Sequence, residues 1–540
     1  MSRSYLTPTS LRGSIPNAYE SNSTPNTPVT IENMVHNLGE ALRTPDRYTR
    51  LPEPATVNAE EHFPQGRTKT AGGVFDISPE IGHTFVAPMH EMLFDRFKNR
   101  MSRYLPFVVL TAEHTPAVMF RDKPFLYTCC VMTAAHRDPP LQSRIARDIL
   151  RYVSEHMLLL GEKSLDLLQG LVVLVAWYHV YSHNQPQLMN LLHLAKALLV
   201  DLGLNRPPGH GIFSIKVSGD ARHLIHGNDP DSTKHKLEEQ RACLALYHLH
   251  TQYAFAFGRL DPNSWTEHLN NCCLAVESAA QCASDGRAAA LIRLDHLLER
   301  YIGAEGLSPG VSMPIPTYIK LFSNDIDSYV KNLSPSLQAD NDMRIQILIT
   351  RLSLLEPAIL ADAGRTPAHK VEALHLCNQT IIDFFDAFAA QRDEDIPHIP
   401  FLSWVTISHA FDTLARISTL QTEGWDLDYV RNNPGFASLC DRMTQRLDTV
   451  HAYEEKNYPA SRSIRFKMFG ARVQKFIQWY EAKIRPASRE EPQNTTRANL
   501  GDVYAWHQPT PLVGEFSDLL WQDFLADVPQ FDPDISLTGS

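Results

Sequence analysis

The sequence predicts an all-α protein: one large, irregular helical domain, preceded by a disordered segment and followed by an acidic tail. Two observations predict this class. Apolar residues recur at helical spacing from about residue 85 to 485, and no segment alternates apolar and polar residues as a half-buried strand would. With 540 residues, 43% of them hydrophobic, the chain can bury a large core. The predicted boundaries are 1–84, 85–485, 486–511 and 512–540.

Residues 162–208 contain two adjacent predicted helices. The first, 165–178, is apolar on nearly every side, and such a helix belongs inside a large protein or a membrane. Its apolar run is well short of the roughly 18 residues that a bilayer span needs, so we expect it at the centre of the core. The second, 188–202, repeats leucine and alanine on one face, and Gly203 provides its C-terminal stop.

Helical spacing continues on both sides of this pair. Upstream, the segments that begin HEMLFDRF, KPFLYTCC and QSRIARDI each predict a helix closed by a proline, a glycine or a polar break. Residues 209–234 contain Gly and His with weak periodicity, which predicts a long surface loop. Beyond this loop, the predicted helices are 236–257, 288–301, 342–359, 367–391, 401–421 and 463–484.

The two ends differ in composition from the helical domain. Residues 1–84 are rich in Ser, Thr, Pro, Asn and Gly, a composition that buries too little apolar surface to offset the entropy of ordering. We therefore predict disorder there. Residues 486–511 are polar and interrupted by prolines, which is typical of a linker.

The overall charge excludes one way of binding DNA. The formal net charge is −11 and the pI is about 6.1. A protein with this negative charge would repel nucleic acid through its overall electrostatic field. The first residues also lack the apolar segment of a secretory signal, and no predicted helix is a membrane span. We therefore expect the protein to stay in the cytosol or the nucleus.

Sequence motifs for catalysis and metal binding are missing. The chain has no Gly-x-Ser-x-Gly elbow, phosphate-binding glycine loop or dinucleotide fingerprint. Cys129-Cys130 and Cys272-Cys273 are neighbours, and adjacent helical side chains point about 100° apart, so a pair cannot face one ion. The interpretation is buried, reduced thiols, and we assign no catalytic, cofactor-binding or metal-binding residue.

The acidic tail, residues 512–540, is the strongest candidate for a binding segment. Acidic residues are interleaved with large apolar ones, and there is no Lys or Arg. A short helix over 517–527 would gather its apolar side chains on one side, as a segment that docks into a coactivator groove does. The alternative is a C-terminal helix docked on the protein's own body. The side chains expected to contact a coactivator are Phe516, Leu520, Trp521, Phe524 and Leu525.

Several long blocks of the chain resemble one family. They are LFDRFKNRMSRYLPFVVL (93–110), FRDKPFLYTCCVMTAA (120–135), GEKSLDLLQGLVVLVAWYH (161–179), LLHLAKALLVDLGLNRPP (191–208) and EEQRACLALYHLHTQYAFAFGRLDP (238–262). In order and spacing they resemble the regulatory middle region of fungal zinc-cluster transcription factors, strongly over about 85–290 and more loosely to about 485. The resemblance implies an all-α regulatory domain, which in that family sometimes responds to small effectors.

The family's DNA-binding module is not matched by this sequence. That module holds two zinc ions with six cysteines and is followed by a dimerising coil, whereas the first cysteine here is Cys129. Neither the zinc ions nor direct DNA binding can therefore be carried over from the resemblance. Either a zinc-cluster segment lies upstream of Met1, or the protein acts through a DNA-binding partner. A homodimer is also among the expected assemblies.

The resulting functional hypothesis is a nuclear transcription regulator, not an enzyme, that controls a fungal metabolic or secondary-metabolite gene set. Its expected partners are the coactivator machinery and, as the resemblance implies, a small-molecule effector. One alternative is an all-α biosynthetic enzyme, which would require turnover of a metabolite in the helical body. The other is a DNA-binding-deficient co-regulator that acts through a partner.

Overall fold

The computed structural model of the protein describes residues 87–178, 187–207, 236–257, 260–261, 263–305, 315–360, 367–461 and 463–484. Within these ranges the secondary structure is helical and contains no β-strand, which confirms the predicted fold class. None of the described helices combines the length and apolarity needed to cross a membrane. The predicted disordered segment, surface loop, linker and acidic tail lie outside the described residues, and the domain boundaries stay predictions.

The described helices fall into two successive groups along the chain. The first group is α1 (Ala87–Arg96), α2 (Pro116–Asp122), α3 (Pro124–Ala134), α4 (Pro139–Tyr152), α5 (Leu165–Ala176), α6 (Leu188–Asp201), α7 (Leu237–Phe257), α8 (Glu267–Ala279) and α9 (Ala283–Glu305). The second is α10 (Ile315–Asn332), α11 (Pro335–Gln338), α12 (Asn341–Leu360), α13 (Pro367–Ala389), α14 (Phe401–Ile417), α15 (Leu427–Asn432), α16 (Phe436–Asn457) and α17 (Arg465–Ile484). π-Helical turns at Phe97–Met101 and Val153–Leu159 extend α1 and α4.

Helix α5 lies in the centre of the first group, as its apolar sequence predicts. It begins after Ser164, whose hydroxyl accepts a hydrogen bond from the backbone N–H of Leu167, and every residue from there to Tyr178 is buried. Gly170 allows α3 to approach closely, since a Cβ atom at this position would lie 2.2 Å from Cδ1 of Phe125. The absence of a side chain therefore sets the distance between these two core helices.

Helix α6 ends at a left-handed glycine, as predicted. Gly203 has a φ of +67°, a conformation that costs glycine little. The backbone N–H of Leu204 donates to the carbonyl of Leu199, and that of Gly203 donates to Val200. These two bonds form a Schellman motif, which satisfies carbonyls at the helix end and turns the chain sharply after α6.

Two large hydrophobic clusters form the core of the described body. The first is built mainly by α1 to α9, and the second by the end of α9 and the helices after it. Helix α14 belongs to both, because Phe401 and Leu402 pack in the first cluster while Phe411 packs in the second. The clusters are therefore joined through shared helices.

Polar contacts also connect the first group of helices to the second. Arg137, which follows α3, forms a bidentate salt bridge to Glu454 of α16, with both N···O distances at 2.8 Å. The indole Nε1 of Trp177 donates to the backbone carbonyl of His398 over 3.0 Å. The buried rings of His136 and His398 meet edge to face, with centroids 5.1 Å apart. We call these residues the polar seam.

Candidate functional site

A cavity of about 170 Å³ lies between α6, α7 and the segment that leads into α8. The surface of its wall is mostly apolar, and its size is comparable to cavities of about 150 Å³ that bind a benzene-sized molecule. Several polar side chains also border it, and a mostly apolar surface with a few polar groups is typical of small-molecule sites. The lining residues that matter for its chemistry are Lys196, Cys243, Tyr247, His250, Asn263 and Leu269.

Lys196 places a cation at the cavity wall. Its Nζ donates a hydrogen bond of 2.6 Å to Oδ1 of Asn263 and lies 3.4 Å from Nε2 of His250. Burial lowers the pKa of Lys196, while the charge of Asp261 opposes this effect. An anionic group in the cavity would therefore meet a partly desolvated ammonium group, which strengthens its attraction relative to one in water.

His250 is the second polar group of the wall. Its side chain is 3% exposed, and its Nδ1 atom has no hydrogen-bond partner among the described residues. Burial and then the charges of Lys196 and His193 lower its pKa to about 4, so the ring is neutral near pH 7. If Nε2 accepts from Lys196, Nδ1 carries the proton and can donate to a bound molecule.

Paired polar groups hold α7 against α9 beneath this cavity. Arg241 forms a bidentate salt bridge with Asp285, at 2.8 and 2.9 Å, and both side chains are buried. Asp295 accepts hydrogen bonds from Gln252 and from the His248 ring. Burial alone would raise the pKa of Asp285, but hydrogen bonds from Arg241 and Cys282 lower it. Because each charge has a partner, these groups serve to fix the helices.

Tyr247 connects the cavity to the α7–α9 interface. Its ring borders the cavity, and its hydroxyl donates a 2.7 Å hydrogen bond to Glu299 of α9. The other carboxylate oxygen of Glu299 accepts from the backbone N–H of Trp265, which lies in the segment that closes the cavity. One carboxylate thus positions both the floor and the closing segment of the cavity.

Cys243, His268 and Cys272 lie beside the cavity and are all buried. One ligand atom from each lies within 4.8 Å of the others. Cys243 belongs both to this group and to the cavity wall. We call these three residues the Cys/His cluster. The sequence did not lead us to predict this cluster. The four-residue spacing of His268 and Cys272 does indicate that both lie on one face of a helix.

The adjacent cysteines point in different directions, as the helical geometry predicts. Cys272 faces His268, with its Sγ 3.6 Å from Nε2, whereas Sγ of Cys273 contacts the backbone carbonyl of Ala289 at 3.8 Å. The pair therefore cannot hold one ion, but Cys272 alone joins the Cys/His cluster. The predicted coactivator contacts, Phe516, Leu520, Trp521, Phe524 and Leu525, lie outside the described residues.

The chain is related to fungal proteins that are named transcription factors. Transcription factor opdL of Penicillium oxalicum is 25% identical over 442 residues, which cover 78% of this chain and 75% of the relative. Transcription factor himD of Aspergillus japonicus is 25% identical over 56% of this chain and 51% of its own length. A transcription factor of Aspergillus terreus is 21% identical over 65% of this chain and 54% of its own.

These alignments cover different shares of the relatives. The chain spans three quarters of opdL but only about half of the other two proteins. A family model named ATEG07667_C, described as a C-terminal domain, matches residues 394–525, which is less than half of the chain. No solved structure matches. The similarity thus supports a fungal transcription-factor family and a regulator of transcription.

Proposed function

We propose that the protein is a nuclear transcription regulator that controls a fungal metabolic gene set. The observation that carries this proposal is the similarity to opdL across 78% of the chain, together with further relatives that are also named transcription factors. The described helices contribute the regulatory body, which has an extensive core and polar contacts that join its two groups of helices. In this role the body controls the output of other segments and carries out no chemistry itself.

The acidic tail is the proposed activation segment. Its aromatic and aliphatic residues alternate with many carboxylates, a composition that suits docking into a coactivator groove. Residues 486–540, fused to an unrelated DNA-binding domain, should activate a reporter gene. Replacing Trp521 and Phe524 by Ala should remove most of this activity, because large aromatic anchors dominate such interfaces.

A matched control separates side-chain chemistry from changes in the abundance of the fusion. The double variant Gln522→Ala/Gln530→Ala alters the same number of positions but keeps every acidic and aromatic residue. It should retain reporter activity at equal fusion level. An inert tail, or equal loss in both double variants, would remove the tail from the proposal and leave the body as the source of regulation.

Nuclear location and gene targets form a separate part of the proposal. A fluorescent fusion of the full chain should accumulate in the nucleus, and deletion of its gene should change transcripts of a restricted metabolic gene set. For DNA contact we propose a DNA-binding partner. Chromatin association that disappears in a strain without the partner would support this, while association of the chain alone with DNA would contradict it.

The cavity beside Lys196 is the proposed effector site. Its mostly apolar surface, the Lys196 ammonium and the unpartnered His250 Nδ1 suit a small molecule with an apolar part and an anionic group. Benzoate is a suitable probe because its ring approaches the size of the cavity. Binding should be measurable by calorimetry on the full chain.

Substitution of the lysine tests the same proposal. Lys196→Met keeps the aliphatic length and removes the charge, so it should weaken carboxylate binding at least 10-fold. The control is Lys163→Met, which removes a lysine that pairs with Asp201 instead of lining the cavity. Equal affinity in the wild type and Lys196→Met, or no binding by any small carboxylate tested, would contradict the effector site but leave the regulatory role in place.

A further inference from the structure

We propose that Cys243, His268 and Cys272 form a buried zinc-binding site in the helical body. The site is separate from the family's DNA-binding zinc module, and it does not depend on the transcriptional role proposed above. It also differs from the expectation drawn from the sequence, which assigned no metal ligand. Three observations support it: the convergence of the donor atoms, the position of the second ring nitrogen of His268, and the charge balance of the donor set.

The donor atoms converge from two helices. His268 and Cys272 are four residues apart on α8, which places both on one face, and Cys243 approaches from α7. Tetrahedral zinc with thiolate and imidazole ligands requires donor separations of about 3.5–3.8 Å. Sγ of Cys272 lies 4.0 Å from Nδ1 of His268, which is slightly longer than this range, and 3.6 Å from Nε2. The side chains therefore need only small rotations to receive an ion.

The backbone orients the histidine for this role. The Nε2 atom of His268 lies 2.9 Å from the carbonyl oxygen of Leu204, to which it can donate. This bond leaves Nδ1 as the ligand atom, and metal-binding histidines commonly use their second nitrogen in this way. Leu204 is itself fixed by the Schellman motif after α6. The tautomer and the ring angle are thus set by the fold before an ion arrives.

The donor set also suits a buried cation. Two thiolates balance the charge of Zn²⁺, and a neutral imidazole adds none, so the loaded site is electrically neutral. A neutral site avoids the large penalty for an isolated buried charge. Cys243 and Cys272 are each only 2–3% exposed, so an ion bound between them would be shielded from water. Because cysteine binds zinc as the thiolate, metal binding by thiols would release protons.

Room for a fourth ligand exists next to the cluster. Three protein donors leave one position of a tetrahedral ion open. Cys243 also borders the 170 Å³ cavity, which can hold a water molecule or a small ligand. A zinc ion at this site would therefore connect the cavity to α7 and α8, and it would stabilise the folded body by binding only the folded chain.

Cobalt is the probe that tests the site most directly. Co²⁺ added to the reduced full-length chain should bind with one equivalent at the cluster and give the thiolate charge-transfer and intense visible bands of a tetrahedral thiolate complex. Zn²⁺ should displace it. Cys243→Ser and Cys272→Ser should each abolish the bands and weaken binding by more than the roughly 10- to 100-fold caused by losing an outer-shell partner.

The neighbouring cysteine provides a matched control. Cys273→Ser changes a buried thiol on the same helix that contacts the Ala289 carbonyl, so it should keep the cobalt spectrum. Circular dichroism verifies that each variant remains helical. If a serine variant does not fold, His268→Gln is tested in its place and should also abolish the cobalt bands. No tetrahedral spectrum in the wild type, a spectrum retained by Cys272→Ser, or a Cys243–Cys272 disulfide whose reduction yields no metal binding would overturn the proposal.

Discussion

Arg137 and Glu454 are 317 positions apart in the sequence, yet their side chains form a bidentate salt bridge inside the protein. The two side chains are only 10% and 7% exposed. The guanidinium group of Arg137 also lies over the ring of Tyr458, with Cζ 3.3 Å from the ring centroid. One arginine therefore links the end of the α3 region to the C-terminal end of α16.

Breaking this pair should destabilise the protein strongly. Glu454→Ala leaves the Arg137 guanidinium buried without its carboxylate, and loss of one partner of a buried pair typically costs about 3–5 kcal/mol. Urea unfolding measures the change. The control is Asp386→Ala, which breaks the exposed pair of Asp386 with Arg442 and should cost about 1 kcal/mol or less. Similar losses of unfolding free energy in both variants would show that the Arg137–Glu454 pair stabilises the protein no more than an exposed pair does.

The buried histidines of the polar seam should make the protein sensitive to mild acid. Burial lowers the pKa of His398 to about 3, and the charges of Arg137, Arg96 and Arg100 act in the same direction. Burial, followed by the charge of His398, lowers the pKa of His136 well below its usual value. The unfolded chain therefore takes up protons below about pH 6.5 that the folded chain does not.

The sign of the pH effect follows from this difference. Stability from both histidines is fully present above pH 6.5 and falls as the pH drops towards the folded pKa, by up to about 1.4 kcal/mol per pH unit for each ring. Urea midpoints between pH 7.5 and 5 measure the slope, which His398→Gln should make shallower. An unchanged slope in His398→Gln would contradict the assignment.

Local elements of the fold could be predicted from the sequence because their signals are local. The apolar residues of 165–178, the stop at Gly203 and the helix at 236–257 each depend on spacing within a few turns, and each is confirmed. Helix α16 was not predicted, although its sequence has a helical pattern of apolar residues. Its buried residues follow helical spacing from Phe436 to Val450, but charged residues between them obscure the pattern.

The candidate sites depend on contacts between distant segments, which one sequence does not reveal. His268 and Cys272 share a helix face, so half of the Cys/His cluster could be recognised from spacing. Cys243 joins them only because α7 packs against α8. The cavity likewise requires the relative positions of α6, α7 and the segment before α8. The periodicity of apolar residues likewise cannot predict a salt bridge between distant positions such as Arg137 and Glu454.

Asp166 joins the start of α5 to the start of α3, and its removal should cost stability. Its carboxylate accepts hydrogen bonds from the backbone N–H groups of Phe125 and Leu126, at 3.0 and 2.8 Å. Asp166→Ala leaves both donors unsatisfied at a partly buried helix end, and such a loss costs about 1–2 kcal/mol. Urea unfolding again measures the change. Asp327→Ala, which removes an exposed carboxylate paired with Arg351, should change stability by less than about 1 kcal/mol.

Gly170 should not tolerate even a methyl group. A Cβ atom there would lie 2.2 Å from Cδ1 of Phe125 and 3.2 Å from Sγ of Cys129, so α3 and α5 would have to separate. Overpacking of this kind costs about 1–3 kcal/mol, which exceeds the roughly 1 kcal/mol that alanine gains over glycine in a helix. Gly286→Ala is the matched control, because no atom lies within 4 Å of its Cβ position in α9. Thermal unfolding should show a lower Tm for Gly170→Ala and an equal or higher Tm for Gly286→Ala. A higher Tm for Gly170→Ala would contradict the close approach of the two helices.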